Sequence, residues 1–254
     1  VGVGSTSRSL IDSLAREGRK ILGGDVSFTT TMREMTPQER TWILQRGRIS
    51  EMASLRVMAR TPEGQALLVE LKAVDSSYPA IGSVNIEPIS PGLQNSLVRA
   101  SDRFGLFGDE TLQARLGLKP GDTILIGDTA FTWKGLLISE PDKLAGGMAL
   151  GPRALISIEG LRASGLVQPG SLVRWTYRLL LTAAAKFGAP PDLGAVHSLV
   201  SQSEKMFPEA GWRVATRDRI SANFSRNLER FTQFLTLVAL TALVIGGIGI
   251  ANAV

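Results

Sequence analysis

The sequence of 254 residues contains no cysteine and a single histidine, His197. The absence of cysteine excludes a disulfide scaffold, thiolate zinc sites, iron–sulfur clusters and cysteine nucleophiles. One histidine is too few for a histidine-rich metal site. Nothing else in the sequence indicates a metal, so we expect neither a metal nor a cofactor.

Common catalytic motifs are also missing. The sequence has no P-loop of the form G-x-x-x-x-G-K-[ST], no G-x-G-x-x-G after a strand and no G-x-S-x-G elbow. His197 lies within a helical pattern, which is more typical of a surface histidine than of a catalytic one. Asp109 and Glu110 are adjacent in sequence and would not face each other, so a helix cap is the simpler role. We therefore predict a non-catalytic chain.

Aromatic residues are few, at 6%, and the net charge of +5 is spread along the chain. Arginine and lysine alternate with acidic residues at 16–20, 33–40 and 213–230. The pI near 9.9 permits contact with anionic lipids. No recognised RNA- or DNA-binding module accompanies the charge, so we expect no nucleic-acid partner.

One long segment, residues 234–254, has no charged residue. As a helix it would be roughly 31 Å long, close to the thickness of the hydrocarbon core. We predict a transmembrane helix; the alternative, a buried core helix, is usually shorter. Small residues at small-xxx-small spacing favour close packing against a second membrane helix: Gly246, Gly247, Gly249, Ala251 and Ala253.

Amphipathic patterns adjoin this run and the other end of the chain. Apolar residues at Ile220, Phe224 and Leu228 predict a stalk helix over 216–233. A second amphipathic helix is predicted to close at Gly23-Gly24, and residues 1–4 are predicted to end an earlier membrane helix. Helices packed on a core are the alternative for both amphipathic patterns.

Strand and helix signals between these ends predict an α+β fold. Alternating residues predict a strand at Val26–Thr30 and a hairpin at 55–73, and Thr36-Pro37-Gln38-Glu39 forms a capping box. Further along the chain, the patterns predict a helix at 110–116, a hairpin around Gly127-Asp128, a strand at 171–181, a helix at 195–206 and a strand at 212–215.

We predict that residues 5–88 and 171–215 form one discontinuous α/β layer. Residues 89–170 would form an inserted, mostly β subdomain. Two of its segments are candidates for contact with a substrate or partner: Phe104 and Phe107 on a loop with glycines, and Met148 on a glycine-rich loop. The commoner role for such phenylalanines is to pack into the subdomain core.

Several motifs resemble the MacB/FtsX-type ABC transporter permeases. The apolar run from Leu237 through Gly246-Gly247-Ile248-Gly249-Ile250 is similar to their second membrane helix. Leu106-Phe107-Gly108-Asp109-Glu110 and Gly127-Asp128-Thr129-Ala130-Phe131-Thr132 are similar to their extracytoplasmic core domain. Further motifs resemble the YbbP-like branch: Leu71-Lys72-Ala73-Val74-Asp75 with Tyr78-Pro79, Leu116 to Asp122, and Val167 to Ser171 with Trp175.

The resemblance implies the architecture predicted above, with a porter-like layer (5–88 and 171–215) and a sabre-like β subdomain (89–170). It implies a bacterial inner-membrane protein whose residues 5–230 lie in the periplasm. The resemblance also implies a separate MacB-like cytoplasmic ATPase as partner, and a second permease unit in the same chain or a dimer.

In this family ATP hydrolysis drives motion of the periplasmic domain by mechanotransmission. The YbbP-like branch is associated with export or extraction of hydrophobic or lipid-like compounds, often beside a periplasmic esterase or lysophospholipase. Membrane lipids and such a hydrolase are therefore expected partners. The alternative function is a membrane-anchored scaffold or signalling module that activates a periplasmic hydrolase without transporting a substrate.

Overall fold

A computed structural model describes residues 18–142, 151–182 and 191–219. Ten strands form one sheet in these ranges. The strands are β1 (Val26–Thr31), β2 (Gly47–Arg60), β3 (Ala66–Val74), β4 (Asn85–Glu87), β5 (Phe104–Gly108), β6 (Thr123–Ile126), β7 (Thr129–Ser139), β8 (Arg153–Ser157), β9 (Arg174–Leu181) and β10 (Arg213–Thr216). The helices are α1 (Pro37–Leu44), α2 (Leu93–Leu97), α3 (Glu110–Leu116), α4 (Ile158–Ala163) and α5 (Leu193–Met206). Residues 18–22 and 217–219 are also helical.

The strands follow the order β10-β1-β9-β2-β3-β8-β5-β7-β4, and β6 pairs with both β2 and β7. Most neighbours are antiparallel, whereas β3–β8 and β5–β7 are parallel. The predicted hairpin is confirmed as β2–β3, with a register from Met52↔Val74 to Arg60↔Ala66. The β6–β7 hairpin at Gly127-Asp128 is also present.

Local sequence signals explain where the helices begin. The hydroxyl of Thr36 accepts a hydrogen bond from the backbone N–H of Glu39, whose carboxylate accepts one from the N–H of Thr36. This is the predicted capping box, and it starts α1. Asp109 caps α3 through the N–H of Leu112, and Gly117 ends that helix in the left-handed conformation.

The two faces of the sheet differ in chemistry. Alternate residues of β1, β9, β2 and β3 place Phe28, Trp175, Ala53 and Leu71 on one face, in the main apolar core. The residues between them point to the opposite face. That face carries a smaller apolar cluster around Phe107, as well as many polar side chains. The polar part of this second face contains the candidate site.

The predicted α+β class is confirmed. The loop prediction for Phe104–Gly108 is wrong, because this segment is strand β5, buried along its whole length. Its two glycines allow neighbours to approach closely, since a Cβ at Gly105 would lie 1.8 Å from the carbonyl oxygen of Ser96. Strand β4 pairs with β7, so residues 85–87 lie beside the middle segment.

Several predictions fall outside the described residues. They are the membrane helix at 234–254, the end of an earlier membrane helix at 1–4, and the stalk helix beyond residue 219. Among helices within the described ranges, none combines the length and the apolar character required to cross a bilayer. The division into domains stays a prediction.

We predict that Gly105→Ala destabilises the protein by about 1–3 kcal/mol, because the new methyl group would overlap a backbone carbonyl in a packed sheet. Urea unfolding followed by tryptophan fluorescence measures this effect. All four tryptophans lie in described residues: Trp42, Trp133, Trp175 and Trp212.

Gly151→Ala is the matched control, because its nearest contact would be 3.5 Å away and its φ is not in the left-handed region. Equal unfolding midpoints for the two variants would contradict the packing argument.

Candidate functional site

The polar face of the sheet contains a cavity of about 290 Å³. Strands β10, β1, β9, β2, β3 and β8 contribute side chains to it. One wall carries charged groups that contact one another and a tyrosine behind them, and we call this set the Lys72 network. Its members come from five parts of the chain: Lys72, Tyr78, Glu140, Asp142, Arg153 and Arg178.

Lys72 on β3 is the centre of this network. Its ammonium donates to Glu140 Oε1 at 2.7 Å and to both oxygens of Asp142 at 2.8 and 2.9 Å. It also lies 2.7 Å from the hydroxyl of Tyr78, which donates to Asp142 at 2.7 Å. One cation thus holds two carboxylates and a phenol.

Two arginines complete the network. Arg178 on β9 pairs with Asp142 at 2.8 Å, and Arg153 on β8 pairs with Glu140 at 3.3 Å. Only 4% of each carboxylate side chain is exposed. Such buried charges are tolerated only when each has opposite charges and hydrogen bonds around it. The network therefore joins the end of β7 to β3, β8 and β9.

The pKa shifts show what chemistry the network favours. Burial disfavours the charged form of Asp142, but the attraction of Lys72 and Arg178 outweighs it and holds its pKa well below the usual range. Burial, together with the charges of Asp142 and Glu140, raises the pKa of Tyr78 far above that of free tyrosine. A permanently protonated phenol and saturated carboxylates are poor bases, so this geometry suits structural coupling better than proton transfer.

A second ionic junction lies where the chain enters and leaves the sheet. Asp25 is completely buried and binds Arg19 Nε at 2.8 Å, while Arg217 NH1 lies 3.5 Å from the same carboxylate. The other carboxylate oxygen accepts a hydrogen bond from the N–H of Leu181. Burial lowers the pKa of Arg217, and Asp25 opposes that shift. Helical residues 18–22 and 217–219 are therefore tied to one carboxylate.

Arg178 connects the two junctions. Its guanidinium packs against Gly23, where a Cβ would lie 2.2 Å from Arg178 NH1. Gly23 has a φ of +71°, a conformation that other residues rarely adopt. The incoming segment, Arg178 and the Lys72 network therefore form one continuous set of contacts.

The predicted contact residues lie elsewhere. Phe104 and Phe107 are 8% and 1% exposed and pack in the two apolar clusters, which is the commoner role expected for such phenylalanines from the sequence. Burial leaves little of either ring for a ligand. Met148 and the small residues Gly246, Gly247, Gly249, Ala251 and Ala253 lie outside the described residues.

The Lys72 network was not predicted as a site from the sequence. A signal exists, because Lys72 interrupts the apolar strand Leu71-Lys72-Ala73-Val74. Its partners Glu140 and Asp142 lie 68 and 70 residues away, so the contacts depend on strand order. In residues 18–142, 151–182 and 191–219, no group of three acidic or histidine side chains has the arrangement of a metal site.

Comparison with known proteins gives one relative by sequence and several by fold. The chain is 30% identical over 264 aligned residues to the uncharacterized ABC transporter permease YbbP of Escherichia coli (strain K12). The alignment covers 100% of this chain and 29% of YbbP, so the chain spans less than a third of that relative. No established family profile matches the chain.

Among solved structures, the periplasmic region of MacB from Actinobacillus actinomycetemcomitans aligns with a TM-score of 0.52 and 8% identity. The alignment covers 84% of this chain and 98% of the MacB region. The extracellular domain of the transporter YknZ from Gram-positive bacteria aligns with a TM-score of 0.48 and 11% identity, over 75% of this chain and 100% of the YknZ domain. The MacB alignment shows a shared fold.

We predict that Lys72→Met destabilises the protein by about 3–5 kcal/mol, because two buried carboxylates lose their shared cation. The free energy of unfolding is measured by urea titration. Arg99→Gln is the control, since the Arg99–Asp102 pair is exposed and should contribute little. A loss as small as that of the control would mean that the network does not stabilise the fold.

A second prediction concerns acid stability. The pKa of Asp142 is lower in the folded than in the unfolded protein, so its contribution is present above the unfolded pKa and is lost as pH falls below it. We expect the wild-type free energy of unfolding to fall below about pH 4, and the Asp142→Asn variant to have a slope shallower by up to about 1.4 kcal/mol per pH unit.

The control for acid stability is Asp102→Asn, which removes an exposed carboxylate. Identical acid slopes for wild type and Asp142→Asn would show that this carboxylate does not couple protonation to folding.

Proposed function

We propose that this chain, which is 30% identical to an ABC transporter permease and shares the fold of the periplasmic region of MacB, is the part of a permease subunit that carries ATP-driven motion into an extracytoplasmic domain. The family resemblance predicted from the motifs is confirmed, as is the MacB-like fold. Because the chain covers 29% of its permease relative, the activity, cargo and partners of the whole protein belong to the proposal.

The observation that carries the proposal is the junction at Asp25. Strands β1 and β10 are antiparallel neighbours with Val26 opposite Thr216, so the chain enters and leaves the sheet at one place. Arg19 and Arg217 hold the same buried carboxylate. Two stalks that reach the membrane from this point would move together, as a lever requires.

A path for motion leads from that junction across the sheet. The guanidinium of Arg178 packs on Gly23 and pairs with Asp142, which Lys72 holds beside Glu140. Hydrogen-bonded strands also run without interruption from β10 to β4. Packed, bonded contacts with few alternative arrangements are the kind that transmit displacement between distant sites.

In this proposal the subunit itself is non-catalytic, and a separate MacB-like ATPase supplies the energy from the cytoplasm. Residues 234–254 form a membrane helix whose Gly246, Gly247, Gly249, Ala251 and Ala253 pack against a neighbour. Residues 5–230 lie outside the cytoplasm of a bacterial inner membrane. The cargo is a hydrophobic or lipid-like compound of that membrane, moved by mechanotransmission and delivered to a periplasmic esterase or lysophospholipase.

The test reconstitutes the full-length permease with its co-purifying ATPase in lipid nanodiscs. ATP turnover and ATP-dependent transfer of a fluorescent lysophospholipid are measured together. We predict that Gly23→Ala keeps ATP turnover but lowers lipid transfer by about tenfold, a typical coupling effect, because the new methyl group displaces Arg178.

Gly211→Ala is the matched control. Gly211 also has a positive φ, at +61°, but a Cβ there meets no atom within 4 Å. Both substitutions place alanine at a positive φ and strain the backbone, but only Gly23→Ala adds a contact with Arg178. Equal transfer by the two variants would contradict the proposed path. Failure to purify any ATPase would overturn the permease function, and hydrolase activation without lipid transfer would favour the scaffold.

A further inference from the structure

A second feature of the polar face is a groove beside the Lys72 network, at β10, β1 and β9. Its floor consists of short hydroxyl side chains, Ser27, Thr29 and Thr176, on adjacent strands. Its rim consists of Arg174, Arg178 and Arg213, which line the same cavity. We call these six residues the arginine groove.

The strand register places the three arginines around the Thr29–Thr176 pair on one face of the sheet. Thr29 lies directly opposite Thr176 on β9 and Arg213 on β10. Arg174 and Arg178 lie two residues before and after Thr176, roughly 7 Å along the strand, and on the same face. Arg213 lies two strands away from Thr176, about 10 Å. The long side chains of Arg174 and Arg213 can therefore reach the space above the Thr29–Thr176 pair, and Arg178, whose guanidinium is paired with Asp142, borders that space.

The charges that line the cavity are unequal. Five are cationic, on Lys72, Arg153, Arg174, Arg178 and Arg213, and three are carboxylates, which leaves an excess of two positive charges. Glu140 and Asp142 are held within the Lys72 network. Within the described residues, neither Arg174 nor Arg213 has an acidic side chain within ion-pair distance, and both are exposed.

Arg178 forms the inner edge of the groove, where its guanidinium is already paired with Asp142. The residue is only 7% exposed, and its Nε–H has no hydrogen-bond partner among the described residues. That N–H is shielded from solvent, so Arg178 contributes its charge to the groove, whereas the donors available to a ligand belong to the exposed Arg174 and Arg213. The remaining acid, Glu70, also lines the cavity, at the β3 side away from β1 and β10.

We propose that the arginine groove binds a phosphate group, presented by a phosphate ester. Guanidinium groups bind phosphate oxygens with charged, paired hydrogen bonds, and threonine hydroxyls supply further donors. The positive excess matches the charge of a phosphate monoester. A cavity of about 290 Å³ lies at the small end of ligand sites, so it fits a headgroup rather than a whole lipid.

The test uses the full-length protein in nanodiscs of neutral phosphatidylcholine. Isothermal titration with sn-glycerol 3-phosphate measures a soluble ester, and inorganic phosphate measures the bare anion. Flotation with phosphatidylglycerol vesicles measures a lipid headgroup. We expect saturable binding of the soluble ester that R174Q/R213Q weakens by about tenfold or more.

The matched control is R60Q/R115Q, which removes the same charge from two exposed arginines that do not line the cavity. It should bind like the wild type. Equal weakening by both double variants would show only bulk electrostatics and overturn the proposal, as would absence of binding to all three probes.

Binding of vesicles but not of the soluble ester, if lost only in R174Q/R213Q, would support the proposal and identify a lipid as the source. Binding of the soluble ester would support it with a water-soluble source. The experiment needs neither ATP nor a partner ATPase. The arginine groove and the permease function can therefore fail independently.

Discussion

The ammonium of Lys72 is the interaction on which this side of the molecule depends. Together with Arg153 and Arg178, it neutralises the two carboxylates that follow β7, and both are almost completely buried. Without this cation only one arginine would remain for each of the two buried acids, which would favour protonation of a carboxylate or movement of the end of β7. Apolar residues of the same size would often be as stable, so a charged cluster here favours one arrangement over many. The cluster fixes the position of the middle segment against β3 and β9.

Arg178 connects the Lys72 network to the contacts around Asp25. The same guanidinium pairs with Asp142 and packs against Gly23, two residues before Asp25. Asp25 in turn binds arginines from both ends of the described domain. The Lys72 network and the junction at Asp25 would be independent if no residue contacted both. Arg178 joins them, because it pairs with Asp142 and packs closely against Gly23. Glycine suits residue 23 because its φ is +71° and because a side chain there would displace the guanidinium of Arg178.

Helix caps and tight hairpins were predictable from the sequence because they depend on residues that are close together in the chain. The Thr36–Glu39 capping box, the Gly127-Asp128 hairpin and the cap at Asp109 each involve residues a few positions apart. Strand order, by contrast, depends on residues that are far apart in the sequence. The parallel pairing of β3 with β8 joins residues about 80 positions apart, and no local pattern specifies it.

Strand β5 was missed for a different reason. Both of its faces are buried, so Phe104-Gly105-Leu106-Phe107-Gly108 shows no alternation of polar and apolar residues. Its glycines suggested a loop, but they serve close packing against the carbonyl of Ser96 and the ring of Trp133. The Lys72 network was missed because a lone lysine in a strand identifies an unusual position without identifying its partners.

The polar face of the sheet follows from how these charges are distributed. A solvated sheet face ordinarily mixes both signs, so that neighbouring charges offset one another. In this chain, two of the three acids that line the cavity are held in the Lys72 network, while Arg174 and Arg213 stand over short hydroxyl side chains. The network that stabilises the fold thereby leaves the adjacent groove positive. The electrostatic character of the groove is thus a consequence of the same buried contacts that hold the sheet together.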